Sequence, residues 1–254
     1  MRYILIILFM LMASPSWATN WCDDDNAVAC YPMNEGSGTE IADNSSNSNT
    51  ITFATSTAAP EWEVMAGTNA PSYADYMVTC DGGDDYMSAP NHASITFGTG
   101  NFSIAMWAIG INANFSPTTI SKGFLSGGDW MLRSSNCGNA DFYGDAGLVS
   151  VSYGDLTTNV WTHTTVVVDG ADSAKMYREG VLRSTDSSIS TADFDSSADL
   201  IFCNANGASR WWSGSVSETL LTNDLLDSTE INDIIDNGLG VSSDYRIPTM
   251  TEFR

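Results

Sequence analysis

From Asn26 onward, apolar residues recur at alternate positions in short runs that are broken by Gly, Asn, Asp and Ser. Phe102, Ile104 and Met106 alternate with Ser103, Ala105 and Trp107, the period of two expected of a half-buried strand. Runs of the same kind predict strands over 27–33, 50–55, 76–80, 86–89, 102–109, 118–121, 130–133, 148–153, 161–168, 174–178, 181–184, 200–204 and 211–221. Glu179-Gly180 separates two of these runs as a tight hairpin turn. Residues 34–49, rich in Ser, Asn and Gly, and residues 136–147 read as loops. Many short strands with turn signals between them predict an all-β, two-sheet antiparallel sandwich.

The pattern changes period once. Asp227 offers an N-cap carboxylate with Glu230 three residues on, Ile231, Ile234 and Ile235 follow at helical spacing, and Gly238 stops the run. This predicts one short C-terminal helix, expected to plug an end of the sandwich. At the other terminus, Arg2 precedes an apolar run from Ile4 to Met12, and Ser16-Trp17-Ala18 supplies small residues at the cleavage positions. That order is a secretory signal over 1–18, and the run is shorter than the ~20 residues a spanning helix needs. The expected organisation is a signal peptide at 1–18, one domain at 19–238 and a tail at 239–254. The expected location is extracellular, or periplasmic in a bacterium.

Charge narrows the range of partners. The chain carries 9 Lys+Arg against 31 Asp+Glu, a net −22. Such a surface repels phosphate backbones and anionic membranes, so nucleic acid and membrane insertion are not expected. It attracts cations, calcium first among them, although most of these acids need do no more than solubilise an exported chain. Of the five cysteines, Cys22, Cys30, Cys80, Cys137 and Cys203, some are expected to be bridged after export, two bridges leaving one cysteine over. Their spacing does not choose the pairing, and it does not make a zinc site with His92 or His163.

Several segments, in order, resemble the laminin G-like branch of the concanavalin A-like lectin/glucanase superfamily. They are "AVACYPMNEGSGTEIADNSSNSNTITF", "CDGGDDYMSAP" with "SITFGTGNFSIAMWAIG", "ISKG", "NVWTHTTVVVDGADSAKMYREGVL" and "WWSGSVSETLLTNDLLDSTEINDIIDNG". The resemblance runs from Ala27 to Gly238 and implies a jelly-roll sandwich. In the closing strand Ser217 stands where the family often has an Asp before the Glu, here Glu218. The resemblance also implies that a calcium site among loop carboxylates is worth seeking. Asp81, Asp84 and Asp85 around Gly82-Gly83, with Asp43 in the loop after the first strand, are the candidates. The competing reading is an Asp-Gly turn held by local hydrogen bonds.

The superfamily includes glycosidases. Glycosidases need two carboxylates flanking the scissile bond, and related glucanases use an E-x-D-x-E or E-x-D-x-x-E strand that this chain lacks. Glu61 and Glu63 are two apart but lie in an early segment that reads as a solvated edge. The chain is therefore expected not to be an enzyme. For carbohydrate, aromatic faces pack on sugar C–H groups while polar groups take the hydroxyls. Trp130, Phe142, Tyr143 and Trp211, with Asp129 and Arg210, are the candidate ligand-binding residues. Trp107, Trp161, Trp212 and His163 read as core. The leading expectation is a binding module for a polysaccharide or cell-surface glycan. The alternatives are a structural or protein-binding module, and a divergent polysaccharide hydrolase or lyase.

Overall fold

The computed structural model describes residues 19–110, 117–135, 139–147, 149–154, 156–170, 172–189, 191–205 and 210–240. The predicted signal peptide at 1–18, all but the first two residues of the predicted tail at 239–254, Cys137 and Leu148 lie outside them. Two antiparallel sheets face each other. The first runs in the order β14 (Val181–Asp186), β13 (Ser173–Arg178), β12 (Thr162–Asp169), β7 (Phe102–Gly110), β16 (Ser213–Thr222), β5 (Tyr76–Asp81) and β4 (Glu61–Val64), with β1 (Ala27–Tyr31) also paired to β16. The second runs β11 (Val149–Tyr153), β10 (Asn139–Gly144), β9 (Trp130–Ser135), β8 (Thr118–Lys122), β15 (Leu200–Phe202), β6 (Met87–Ala89), β3 (Ile51–Phe53) and β2 (Glu40–Ile41). This is the expected jelly-roll sandwich, and sequential strands fall in both sheets, so the chain crosses between the layers repeatedly.

The alternation read in β7 sorts its side chains to two places. Phe102, Ile104 and Met106 point between the sheets, where they join Tyr31, Trp130, Phe142, Phe194 and Phe202. Phe97 stacks on Phe102 at 4.2 Å, and Phe194 meets it edge-on at 5.0 Å. Burying side chains of this size stabilises the fold by about 1.5–3 kcal/mol each. Ala105 and Trp107 point the other way and are also buried, because the outer face of the first sheet is covered.

The cover is the C-terminal helix α1 (Ser228–Asn237). Asp227 and Glu230 form the expected capping box, and Gly238 closes the far end. Ile231 and Ile234 pack with Ala105, Val167 and Leu220. The helix thus lies on the outer face of the first sheet rather than plugging an end, because β7, β12 and β16 present small or aliphatic residues there. Trp21 belongs to the same cluster, and its N–H donates to the Leu239 carbonyl at 3.0 Å, which brings the two ends of the domain together.

Two disulfides form among the described residues, Cys22–Cys30 and Cys80–Cys203. The first ties the N-terminal turn to β1. The second joins the end of β5 to the residue after β15 and so links the two sheets.

Candidate functional site

The Cys80–Cys203 bridge decides what meets at one edge of the sandwich. It holds the segment leading into β16 against the end of β5, and the register then sets Ser213 opposite Asp81 and Gly214 opposite Cys80. Trp212 donates its N–H to the Cys203 carbonyl at 2.8 Å, and Asn204 Oδ1 accepts from the N–H of Ala205 and of Arg210. The residues just before β16 are thereby fixed beside the turn that follows β5.

That turn is the Asp-Gly segment 81–85. Gly82 has φ +79, and a Cβ there would lie 2.6 Å from that of Ser213, so both the turn and the close approach require glycine. Asp81 Oδ1 accepts from the Gly83 N–H at 2.6 Å, and Asp85 Oδ2 accepts from the Asp81 N–H at 2.8 Å. One carboxylate oxygen each from Asp81, Asp84 and Asp85 falls within 4.8 Å of the others. Asp85 is buried, which pushes its carboxyl above the ordinary range; its backbone hydrogen bond opposes this, and repulsion from Asp81, Asp84 and Glu61 adds to it. Crowded oxygen donors of this kind suit a hard divalent cation, with main-chain oxygens completing the shell of six to eight. Asp43 is not in this cluster. Its oxygens accept from the N–H groups of Cys30, Ser45 and Asn49 and so brace the loop after β1.

Beside the turn stand two half-buried rings. Tyr86 and Trp211 lie 6.4 Å apart with planes tilted by 42°. Arg210 places its guanidinium 5.3 Å from the centroid of Phe124. Burial, and then the neighbouring charge of Arg133, lower the Arg210 pKa. Arg133 in turn lies over the Tyr143 ring at 4.9 Å and 3.7 Å from Asp141 on the outer face of the second sheet.

The predicted ligand-binding residues therefore separate into three groups. Trp211 and Arg210 stand at the rim, and Tyr143 stands on the adjoining sheet face. Trp130 and Phe142 are fully buried between the sheets and present no platform, because β9 and β10 alternate and these positions point inward. Asp129 is spent on structure: its oxygens accept from the N–H groups of Phe124 and Ser126 and from the Ser196 hydroxyl at 2.6 Å. Tyr86 and Phe124 were missed. Tyr86 was legible as the aromatic directly after the acidic turn, whereas nothing in the spacing points to Phe124.

The remaining candidates resolve structurally. Trp107 and Trp161 are buried and donate to Tyr73 Oη and the Ala66 carbonyl, and Trp212 and His163 are buried as well. Glu61 and Glu63 are exposed on β4, an edge strand. Ser217, at the position where an Asp is common, donates its hydroxyl to the Tyr76 carbonyl. Glu218 sits at a bulge in β16, 6% exposed, and accepts from the Leu239 N–H at 3.3 Å; burial lifts its pKa to about 8.

Comparison with solved structures shows that other proteins share this fold. Domain 4 of AbnA, a GH43 extracellular arabinanase from Geobacillus stearothermophilus solved with arabinotriose, superposes with a TM-score of 0.60 at 16% identity. The match covers 83% of this chain and 98% of that domain. The binding domain of Paraclostridial Mosquitocidal Protein 1 gives 0.59 at 15% identity, covering 83% of this chain and 52% of that one. The binding domain of botulinum neurotoxin serotype D gives 0.62 at 13% identity, covering 84% and 51%. The chain thus spans about half the length of the toxin domains and nearly all of the arabinanase domain. Among curated protein sequences none matches. The family model Laminin_G_3, described as the concanavalin A-like lectin/glucanases superfamily, matches residues 81–232, more than half of the chain and all of the segment from the acidic turn into the helix. The chain belongs to the concanavalin A-like lectin/glucanase superfamily.

Proposed function

We propose that this chain is an exported, non-catalytic glycan-binding module whose ligand lies across Tyr86 and Trp211, with calcium held by Asp81, Asp84 and Asp85. The observation that carries the reading is the ring pair fixed by a disulfide beside a carboxylate cluster. A sugar ring packs its C–H face on an indole or phenol, and charged groups at the margin take its hydroxyls. A bound cation would neutralise the repulsion around Asp85 and offer a Lewis-acidic contact to sugar oxygens. The net charge favours a neutral glycan over an acidic one. The arabinotriose held by the arabinanase domain is in keeping with this class of ligand, although at 16% identity the likeness carries the fold and not the specificity.

The test is a glycan array with the mature chain, in calcium and in EDTA, repeated with Trp211→Ala. Binding of a neutral glycan class that is lost in the variant supports the proposal; a flat array at high protein concentration overturns it. A second reading, protein binding, draws on Val181 and Leu182, 54% and 48% exposed on the edge strand β14. A flat array together with a binding partner lost on Val181→Lys would favour it.

A further inference from the structure

We infer that the space between the sheets beside Trp212 is a second binding site, one for a small amphipathic molecule with an apolar body and a hydrogen-bond acceptor at one end. The inference rests on the packing of the sandwich and is independent of the glycan reading. At one end of the core the two layers leave about 350 Å³ between them. Met106, Ala108, Leu132, Ala140, Leu156 and Trp212 supply its apolar walls. Elsewhere Phe102, Trp130 and Phe142 fill the same layer, but here β7 and β10 contribute alanines. Close-packed interiors hold few voids larger than a water. This one is about twice the ~150 Å³ of apolar space that admits a benzene ring, and it falls within the range of roughly 300–1,000 Å³ typical of ligand sites.

The space is reachable and it is not uniformly apolar. It extends from Met106, fully buried, to Thr157 and Thr158, both exposed. Hydroxyl-bearing Thr119, Ser134, Thr162 and Thr164 interrupt the walls. Trp212 is 5% exposed, and its Nε1 is buried without a hydrogen-bond partner. By contrast, the indole nitrogens of Trp107 and Trp161 donate at 2.8 and 2.7 Å. Trp130 Nε1 is also unpartnered, but Trp130 is surrounded by the rings of Phe97, Phe102 and Phe142. The Trp212 indole is held in place by glycine: a Cβ at Gly110 would come 3.1 Å from its ring. A buried donor without a partner is an unfavourable arrangement that a ligand oxygen would correct.

The experiment uses 1-anilinonaphthalene-8-sulfonate as a fluorescent probe and decanoate as its competitor on the folded, mature chain. One saturable site per chain, with decanoate displacing the probe, is the expected result. Ala140→Phe fills the space from the second sheet and should weaken both ligands at least tenfold with the near-UV circular dichroism unchanged; Ala108→Leu fills it from the first sheet should that variant not fold. Trp212→Phe, which keeps an aromatic wall but removes the donor, should weaken decanoate more than the probe. Trp211→Ala should leave both unchanged, which separates this site from the rim. Absence of saturable binding to the wild type, or equal binding by a folded space-filling variant, overturns the inference.

Discussion

Trp211 leans over Tyr86 at 6.4 Å although 125 residues separate them in the chain, and it does so because Cys203 and Cys80 are bonded just upstream of both. The ring pair is therefore a product of the sheet-to-sheet link and not of local sequence. Replacing Trp211 by alanine should reduce affinity for a bound glycan by a factor of about 30, the scale of a binding hot spot near 2 kcal/mol. Isothermal titration would measure it, and because the ring is only half-buried the melting temperature should barely move. A binding loss matched by an equal loss of stability would instead make Trp211 part of the core.

The same link can be cut. Cys80 and Cys203 enclose 123 residues of separation, and removing a native disulfide from an exported domain typically costs about 2–5 kcal/mol. Cys203→Ser should lower the denaturant midpoint accordingly and weaken glycan binding as the rim loses its brace. Unchanged glycan affinity in a folded Cys203→Ser variant would show that the rim is held by other contacts.

Calcium should stabilise the chain through the 81–85 turn. At 100 times its dissociation constant a ligand bound only by the folded state adds about 2.7 kcal/mol, readable as a rise in melting temperature that EDTA reverses. The rise should vanish in an Asp81→Asn/Asp84→Asn double variant and survive in Asp43→Asn, since Asp43 is engaged with backbone N–H groups elsewhere. The same rise in the double variant would place the cation at another site.

Two buried titratable groups set opposing slopes in stability against pH. Glu218 is held at about 8 from an ordinary 4.5 by burial. Between these values the folded chain keeps a proton that the unfolded chain has released, so this group makes stability fall as pH rises, by at most about 1.4 kcal/mol per unit. His163 is fully buried and pushed down to about 3 from 6.5. Between those values the unfolded chain binds a proton that the folded chain refuses, so stability rises with pH. The two oppose each other from 4.5 to 6.5, and from 6.5 to 8 only the Glu218 slope remains of the pair. Urea unfolding across this range should show a decline above 6.5 that Glu218→Gln removes and His163→Gln leaves in place. An unaltered decline in Glu218→Gln would assign it to other carboxyls.

Much of this architecture could be read from residue patterns. Each predicted strand overlaps an observed one, and the capped helix lies where Asp227, Glu230 and Gly238 put it. Three strands were missed for identifiable reasons. Glu40–Ile41 is too short to show a period, Glu61–Val64 is an exposed edge, and Asn139–Gly144 carries the Asn, Asp and Gly that elsewhere signal turns. The last omission also misplaced Phe142, which an alternation of Ala140, Phe142 and Gly144 would have turned inward. The Cys80–Cys203 pairing and the approach of Trp211 to Tyr86 depend on how the two sheets superpose, which is a matter of topology and not of spacing along the chain.

The hydrogen bond from the Trp21 N–H to the Leu239 carbonyl has a practical corollary. Where entry and exit of a fold adjoin, the polypeptide can be reopened elsewhere with little loss. A circular permutant that joins residue 240 to residue 19 through a short Gly/Ser connector, with new ends between the exposed Thr157 and Thr158, should therefore fold. It would carry its fusion points between β11 and β12 and leave the original termini sealed.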